Sequence, residues 1–377
     1  MPETAESLSY DDKGKCSVCE QITYKKDKIN WSDRYLELKK IVKEHKGKYD
    51  YDCVVPFSGG KDSTFTLYYL IKNLGLKCLV VRFDHLFMRP VVEENAIKTF
   101  KILGADVIKF SPNPKIVKML MFESLFRRGD FCWHCHTGIF AYPMWVALNY
   151  NIPLIFWGEP GSEYSSFYGY DEVEQADERR FNRKINLGIN AEDMQGMLNS
   201  RFSETKVELR DLKPFTFPPQ ELLNQKKIKS VMLGYYIPWD VKEQVKLIKE
   251  KLDWKGDIVE GVPPEYDYEK IECYMQGMRD YIKFLKRGFA RTAHLTSIDI
   301  RNGRIDRKTA LELCEKFDGK KPVVLETFLK LMKISEDEFM DIISKHVVEP
   351  FNMPGKEEIK SNNIVLDGLD QFEKKII

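Results

Sequence analysis

The chain has 377 residues, 59 Lys and Arg against 58 Asp and Glu, eight cysteines and 43% hydrophobic content. That length suggests two or three structural units with cores that need no disulfide staples. The net charge of +1 excludes a global pull toward nucleic acid or membrane, and no apolar run approaches the ~20 residues of a membrane span.

The first thirty residues carry charges where a signal peptide needs an apolar segment, so a cytoplasmic location is expected, with reduced thiols. The first 35 residues read as polar and irregular, with a pair at Cys16 and Cys19. Spacing of Trp31, Tyr35, Leu38 and Val42 predicts a helix over 31–44. Residues 53–57 form a short apolar run entered from charged residues and left through Ser-Gly-Gly, the mark of a buried parallel strand. A helix is expected over 63–74, with Ser63 as N-cap and Gly75 past its end. Further strands are predicted over 77–83, 106–110, 152–157 and 231–236. Helices are predicted between them over 90–103, 114–128 and 137–150. Between 170 and 219 the pattern dissolves, as in an inserted substrate region. From 266 onward it is mostly helical, over 268–286, 308–317, 323–332 and 336–346.

Strands alternating with helices predict an α/β fold, a doubly wound and mostly parallel five-stranded sheet. The expected organisation is an N-terminal cysteine segment over 1–48, the sheet domain over 49–240 and a helical region over 241–377. Such sheets bind ligands at the carboxyl ends of their strands, here loops 58–62, 84–89, 111–113 and 158–170.

The first of these loops carries the clearest chemistry. Ser58-Gly59-Gly60-Lys61-Asp62-Ser63 joins a strand to a helix, and two glycines let backbone N–H groups approach phosphate oxygens at the helix N-terminus. Lys61 adds a charge, and Ser58 and Ser63 add hydroxyls. The Walker A pattern is absent, because Val55 and Asp62 stand where it needs Gly and Ser or Thr. Asp62 either positions magnesium or begins the helix as a capping acid. Asp84, ending the second strand, can accept hydrogen bonds from a nucleoside or cap its turn. Gly158 and Glu159, ending the fourth, allow close approach and metal or substrate binding, or form a plain turn.

Cys16/Cys19 and Cys132/Cys135 are two Cys-x-x-Cys pairs. Together they fit a structural Zn²⁺ with four thiolates at about 2.3 Å. Redox chemistry, an iron–sulfur cluster and buried unliganded thiols are the alternatives. His134 and His136 are candidate replacement ligands or active-site residues. Cys53, Cys78, Cys273 and Cys314 read as core fillers. Arg287, Arg291, Arg301 and Arg304 are either phosphate ligands or surface charge.

The 58–63 loop resembles the pyrophosphate loop of the ATP pyrophosphatase (PP-loop) superfamily, whose fold is adenine nucleotide alpha hydrolase-like. With Gly14–Cys19, the Asp130–His136 cysteine motif, Trp157-Gly158-Glu159-Pro160, Glu163-Tyr164 and Ile300–Ile305, the chain resembles the N-acetyl sugar amidotransferases. These act in bacterial surface-glycan biosynthesis, including pseudaminic and legionaminic acid, flagellin glycosylation and lipopolysaccharide. Relatives usually carry a further Cys-x-x-Cys just upstream of a Met-Pro sequence, and here Met1-Pro2 opens the chain.

The resemblance implies an ATP-dependent, AMP- and pyrophosphate-forming enzyme that turns the N-acetyl group of a nucleotide-activated sugar into an acetamidino group. Lys61, Asp62 and Glu159 would be catalytic. Ser58, Gly59, Gly60, Lys61, Asp62, Ser63, Asp84 and Gly158 would bind ATP with Mg²⁺. Glu163, Tyr164, Arg291, Arg301 and Arg304 would bind the sugar, and a separate glutaminase subunit would deliver ammonia. A tRNA-thiolation enzyme and a non-catalytic nucleotide-binding partner of a glutaminase are the rival readings. The first predicts a basic face that the net charge disfavours.

Overall fold

Five short runs become strands: β1 (Cys53–Pro56), β2 (Cys78–Phe83), β3 (Asp106–Phe110), β4 (Leu154–Trp157) and β5 (Lys229–Met232). The computed structural model describes residues 1–5, 8–163 and 168–376. All strand pairs are parallel and the order is β3-β2-β1-β4-β5. β1 and β2 are in register from Cys53 opposite Cys78, and Val54 lies opposite Ile155 of β4. The chain winds outward from β1 to β3 and then crosses to β4 on the other side. Loops after β1 and β4 therefore diverge at one crevice, the switch point where such sheets take ligands.

Side chains along the strands alternate between two packed faces. Cys53 and Val55 of β1 face Leu38, Ile41, Phe65, Leu67 and Ile248 on one side. Val54, with Leu79, Val81 and Ile155, faces Ala141, Met144 and Ala147 on the other. Helices α1 (Ser17–Asp27), α2 (Trp31–His45), α3 (Lys61–Tyr68), α4 (Pro90–Leu103), α5 (Pro114–Arg128) and α6 (Trp133–Asn149) build the layers with later helices. A third apolar cluster joins α5 residues Val117, Leu120 and Met121 to Met278, Tyr281, Phe328 and Phe339. The C-terminal helices thus share a core with the sheet layer. Among the described residues no helix is long and apolar enough to cross a membrane.

α4 and α5 have the expected bounds, each with Pro in its first turn and a left-handed Gly past its end (Gly104 φ 68°, Gly129 φ 54°). Other expectations shift. Ser17–Asp27 is helical rather than irregular. α3 begins at Lys61 with Gly60 as N-cap, so Ser63 lies inside its first turn; a π-helical turn comes next over Tyr69–Asn73. The last strand is Lys229–Met232, and Leu233–Tyr236 coils into a helical turn. The 170–219 region holds a helix at Ala191–Arg201, capped by Asn190. Val241–Leu252 and Arg291–Arg301 are further helices beyond those expected. The helix expected over 268–286 runs Gln276–Arg287, and the residues before it do other work.

α6 lies close under β2 because Gly138 has no side chain. A Cβ there would stand 2.1 Å from Phe83 Cζ, and Phe83 is locked between Phe110 and Phe215. Gly138→Val is expected to destabilise the fold by about 1–3 kcal/mol through overpacking. Thermal denaturation reads this as a lowered Tm, and an unchanged Tm contradicts the packing described.

Candidate functional site

The 58–63 loop leaves β1 at the switch point and turns sharply into α3. Gly59 adopts φ 92°, and a Cβ on it would meet Val92 Cγ1 at 2.5 Å. Ser63 Oγ accepts from the backbone N–H of Gly59 at 3.2 Å and of Ser58 at 3.3 Å, holding the turn closed. Those donors, with the Ser58 and Ser63 hydroxyls, are the groups a phosphate oxygen would engage.

The loop is completed from far along the chain. Backbone bonds from Arg89 N to Glu272 O (3.3 Å) and Tyr274 N to Phe87 O (3.0 Å) clip residues 272–274 against the β2–α4 loop. This clip holds Glu272 against the turn: Ser58 Oγ donates to its carboxylate at 3.2 Å, and a Cβ on Gly60 would strike that oxygen at 1.9 Å. Lys61 is 3% exposed and pairs with Asp62 at 2.9 Å and Glu269 at 2.8 Å. Burial by itself would lower the pKa of the Lys61 ammonium, but the Asp62, Glu269 and Glu159 carboxylates override it and raise the pKa well above the ordinary value. Burial pushes Glu269 the other way, and Lys61, Lys270 and Arg291 hold it ionised below the usual carboxylate range. Trp254 Nε1 donates to Gly59 O at 3.2 Å. Sequence reasoning missed Glu269 and Glu272, because residues 268–275 carry the same helix-like spacing as the helix Gln276–Arg287 beyond them.

A cavity of about 310 Å³ opens between the β1 and β4 loops. Ser58, Asp62, Ser63, Gly158 and Glu159 line it, as does Glu272. Gly158 is required there, since a Cβ would meet Thr66 Oγ1 at 2.5 Å. Desolvation raises the pKa of the Glu159 carboxyl to about 8, the Asp62 charge adds to it, and Lys270 and Lys61 only partly offset them. Asp62 Oδ1 is buried with no hydrogen-bond partner. Asp62 Oδ1, with the Glu159 carboxyl lining the same cavity, offers oxygens of the kind a divalent cation takes. Arg180, 8% exposed and paired with Glu174, also reaches the cavity and leaves Nε without a hydrogen-bond partner. Lys184, four residues on, lies on a π-helical turn (Phe181–Ile185), a distortion frequent at functional sites.

Other expected site residues lie elsewhere. Asp84 does not line the cavity; its carboxylate accepts from Leu86 N at 2.8 Å and Ser111 Oγ at 3.0 Å, closing the loop after β2. Its neighbour His85 lines the cavity instead, kept neutral by burial with its pKa pushed down to about 4. Glu163 is 7% exposed and occupied by Lys25 and the Tyr170 hydroxyl, while its carbonyl accepts from Arg301 at 2.9 Å. Tyr164 lies outside the described residues. Arg304 is paired with Asp240 at 2.6 Å and Asp299 at 3.1 Å. Arg291 and Arg301 line a second cavity, which meets the first at Glu159, Lys184 and Lys270.

The two cysteine pairs are not gathered into one site. Cys16 and Cys19 stand 3.4 Å apart at the start of α1. The hydrogen bond between them lowers the pKa of Cys16 to about 5, against the effect of its burial. Cys132 and Cys135 cap and open α6, where desolvation raises both thiol pKa values, that of Cys135 to about 12. Among the described residues no three His, Cys, Asp or Glu side chains form a group able to hold a metal ion. α6 anchors its pair beside the core residues Phe131 and Trp133, while α1 packs against residues 161–163. His134 is buried with both ring nitrogens lacking a hydrogen-bond partner.

Residues 265–360 match the family model described as "LPS biosynthesis protein WbpG-like, C-terminal domain". The stretch that completes the loop, Glu269 to Glu272, therefore falls inside a region similar to lipopolysaccharide biosynthesis proteins. The chain is also 29% identical over 137 residues to an uncharacterized protein of Methanocaldococcus jannaschii. That match covers 35% of this chain and 47% of the relative, under half of the relative's length.

Glu159 gives the site a pH signature. Its carboxyl keeps a proton that the unfolded chain loses above its ordinary value of 4.5. The group's stabilising contribution is full below pH 4.5 and is lost as pH rises toward 8. Glu159→Gln cannot ionise, so its stability relative to wild type rises across that window, by at most about 1.4 kcal/mol per pH unit. Melting curves at a series of pH values test this, and a pH-independent difference contradicts it.

Proposed function

We propose that the protein is an ATP-dependent amidotransferase that converts the N-acetyl group of a nucleotide-activated sugar to an acetamidino group, forming AMP and pyrophosphate. The observation that carries the reading is the glycine loop at the switch point, with Lys61 buried behind it and Asp62 and Glu159 beside it. Similarity of the C-terminal region to lipopolysaccharide biosynthesis proteins supports a role in sugar biosynthesis.

An amide is inert to ammonia because substitution would expel oxide. Attack of the amide oxygen on the α-phosphorus of ATP expels pyrophosphate, and loss of the N–H proton leaves an O-adenylyl imidate. Ammonia then adds at the imidate carbon, AMP departs with the former amide oxygen, and the acetamidine remains. The loop N–H groups with Ser58 and Ser63 hold the pyrophosphate oxygens while charge develops on them, so catalysis is chiefly positioning and electrostatic stabilisation. Lys61 supplies fixed positive charge behind the turn, held in place by Glu269. Asp62 and Glu159 would hold Mg²⁺, which would share the phosphate charge when bound. Ammonium dominates near pH 7, so ammonia comes from a separate glutaminase subunit.

The test is pyrophosphate release from ATP, measured with CMP- and UDP-linked N-acetyl sugars plus ammonia, with mass spectrometry of the sugar product. Release that needs both co-substrates is expected, and equal release with tRNA as sole acceptor overturns the reading. Lys61→Ala would leave Glu269 short of countercharge and risk the fold. The double variant Lys61→Met/Glu269→Gln removes both charges and should stay folded while losing at least about 10²-fold in turnover. Retained turnover takes the loop out of the mechanism.

A further inference from the structure

Lys61 lies behind the glycine turn and is not among the described residues that line the loop cavity. Its charge is shared between Asp62 and Glu269. Positive charge that faces a ligand in that cavity has to come from another wall. The one guanidinium among the described lining residues is Arg180, on the short helix Glu178–Arg180 of the inserted region.

Arg180 is 8% exposed and fixed from several directions. Its backbone N–H donates to the Asp177 carboxylate at 2.7 Å, which caps the helical turn. Its Nη1 donates to Glu174, a carboxylate 2% exposed that also accepts from Gly161 N at 2.5 Å. Its guanidinium carbon lies 5.5 Å from the centre of the Phe140 ring and 5.6 Å from that of Tyr168. An arginine held in this way has little rotamer freedom left to lose on binding.

The same anchoring leaves a donor idle. Nε is buried with no hydrogen-bond partner, and a buried donor left unpaired is costly. Glu174 takes Nη1, whereas a phosphoryl group is gripped bidentately through an edge that can include Nε. The surroundings say which part of a nucleotide comes here. Phe140 stacks on Trp157 at the end of β4, with ring centroids 4.7 Å apart, while the glycine loop leaves β1, the next strand. Arg180 thus stands on the β4 wall of the crevice and the loop N–H groups on the β1 wall. The cavity lining from α6 is apolar, with Ile139, Phe140 and Pro143, which suits a base rather than a chain of phosphates.

We propose that Arg180 is a phosphate ligand of the first cavity, donating through Nε to the phosphoryl group that stays with the nucleoside, while the glycine loop takes the two phosphates that leave. The identity of the nucleotide rests on the ATP-cleaving reading of the loop; the contact rests on the idle donor of Arg180. Held from both walls, the phosphorus under attack is fixed in position as pyrophosphate departs on the loop side.

The test is calorimetric titration of the full chain, with Mg²⁺ present, against AMP, adenosine and pyrophosphate. Wild type is expected to bind AMP at least about tenfold more tightly than adenosine. Arg180→Met alone would strand the buried Glu174 charge, so the double variant Arg180→Met/Glu174→Gln is used, whose Gln oxygen can still accept from Gly161 N. It should weaken AMP at least about tenfold and leave adenosine and pyrophosphate within about twofold. Arg180→Lys keeps the charge against Glu174 but loses the planar edge, and should weaken AMP by a smaller factor. AMP affinity unchanged in both variants overturns the proposal. So does equal loss of AMP and adenosine, equal loss of AMP and pyrophosphate, or a wild type that binds no AMP. If AMP behaves as expected while no acceptor elicits pyrophosphate release from ATP, the amidotransferase reading falls and the Arg180 site stands. If turnover is as proposed and AMP is indifferent to both variants, the Arg180 site falls and the reading stands.

Discussion

Lys61 sits almost fully buried between two carboxylates, one its sequence neighbour and one more than two hundred residues away. Taking an ammonium out of water costs several kcal/mol unless it is paired, and breaking such a pair leaves an uncompensated charge. The Lys61–Glu269 contact therefore couples the glycine loop to the C-terminal region. Around it stand the other joins: Glu272 on Ser58, Trp254 on Gly59, and residues 272–274 clipped to 87–89. The loop cannot take its shape without the segment that arrives behind it.

That dependence explains what the sequence could and could not disclose. Sheet class, glycine loop and switch-point loops are local facts, written in apolar runs and Gly/Pro punctuation. α4 and α5 were legible to the residue because proline and glycine mark both their ends. Glu269 and Glu272 were not legible, because Tyr268, Ile271 and Tyr274 sit at helix-like intervals and only tertiary pairing pulls that backbone out of a helix. Asp84 and His85 stand side by side at a strand end, and loop closure by Ser111 and Leu86 decides which one faces the cavity. The helix Ala191–Arg201 did leave a signal, Asn190 capping Asp193, within a stretch whose overall polarity hid it.

The arginines divide in the same way. Composition could not separate a phosphate ligand from surface charge, since both are guanidinium on a helix. Arg304 is held by Asp240 and Asp299, whereas Arg291 and Arg301 look into a cavity. Likewise the Cys-x-x-Cys spacing makes each pair competent for a metal but cannot bring two pairs together, and the anchoring of α1 and α6 on different surroundings keeps them from forming one four-thiolate group.

The cavity beneath the glycine loop adjoins a second one at Glu159, Lys184 and Lys270, an arrangement that suits the proposed reaction between a nucleotide and an acceptor. The central claim is that the amide oxygen itself attacks phosphorus, and isotope transfer reads that bond directly. An acceptor carrying ¹⁸O in its acetamido group, incubated with ATP, Mg²⁺ and ammonia, should yield AMP bearing the label and a sugar without it. Label retained in the sugar, or recovered in inorganic phosphate rather than AMP, would contradict the account.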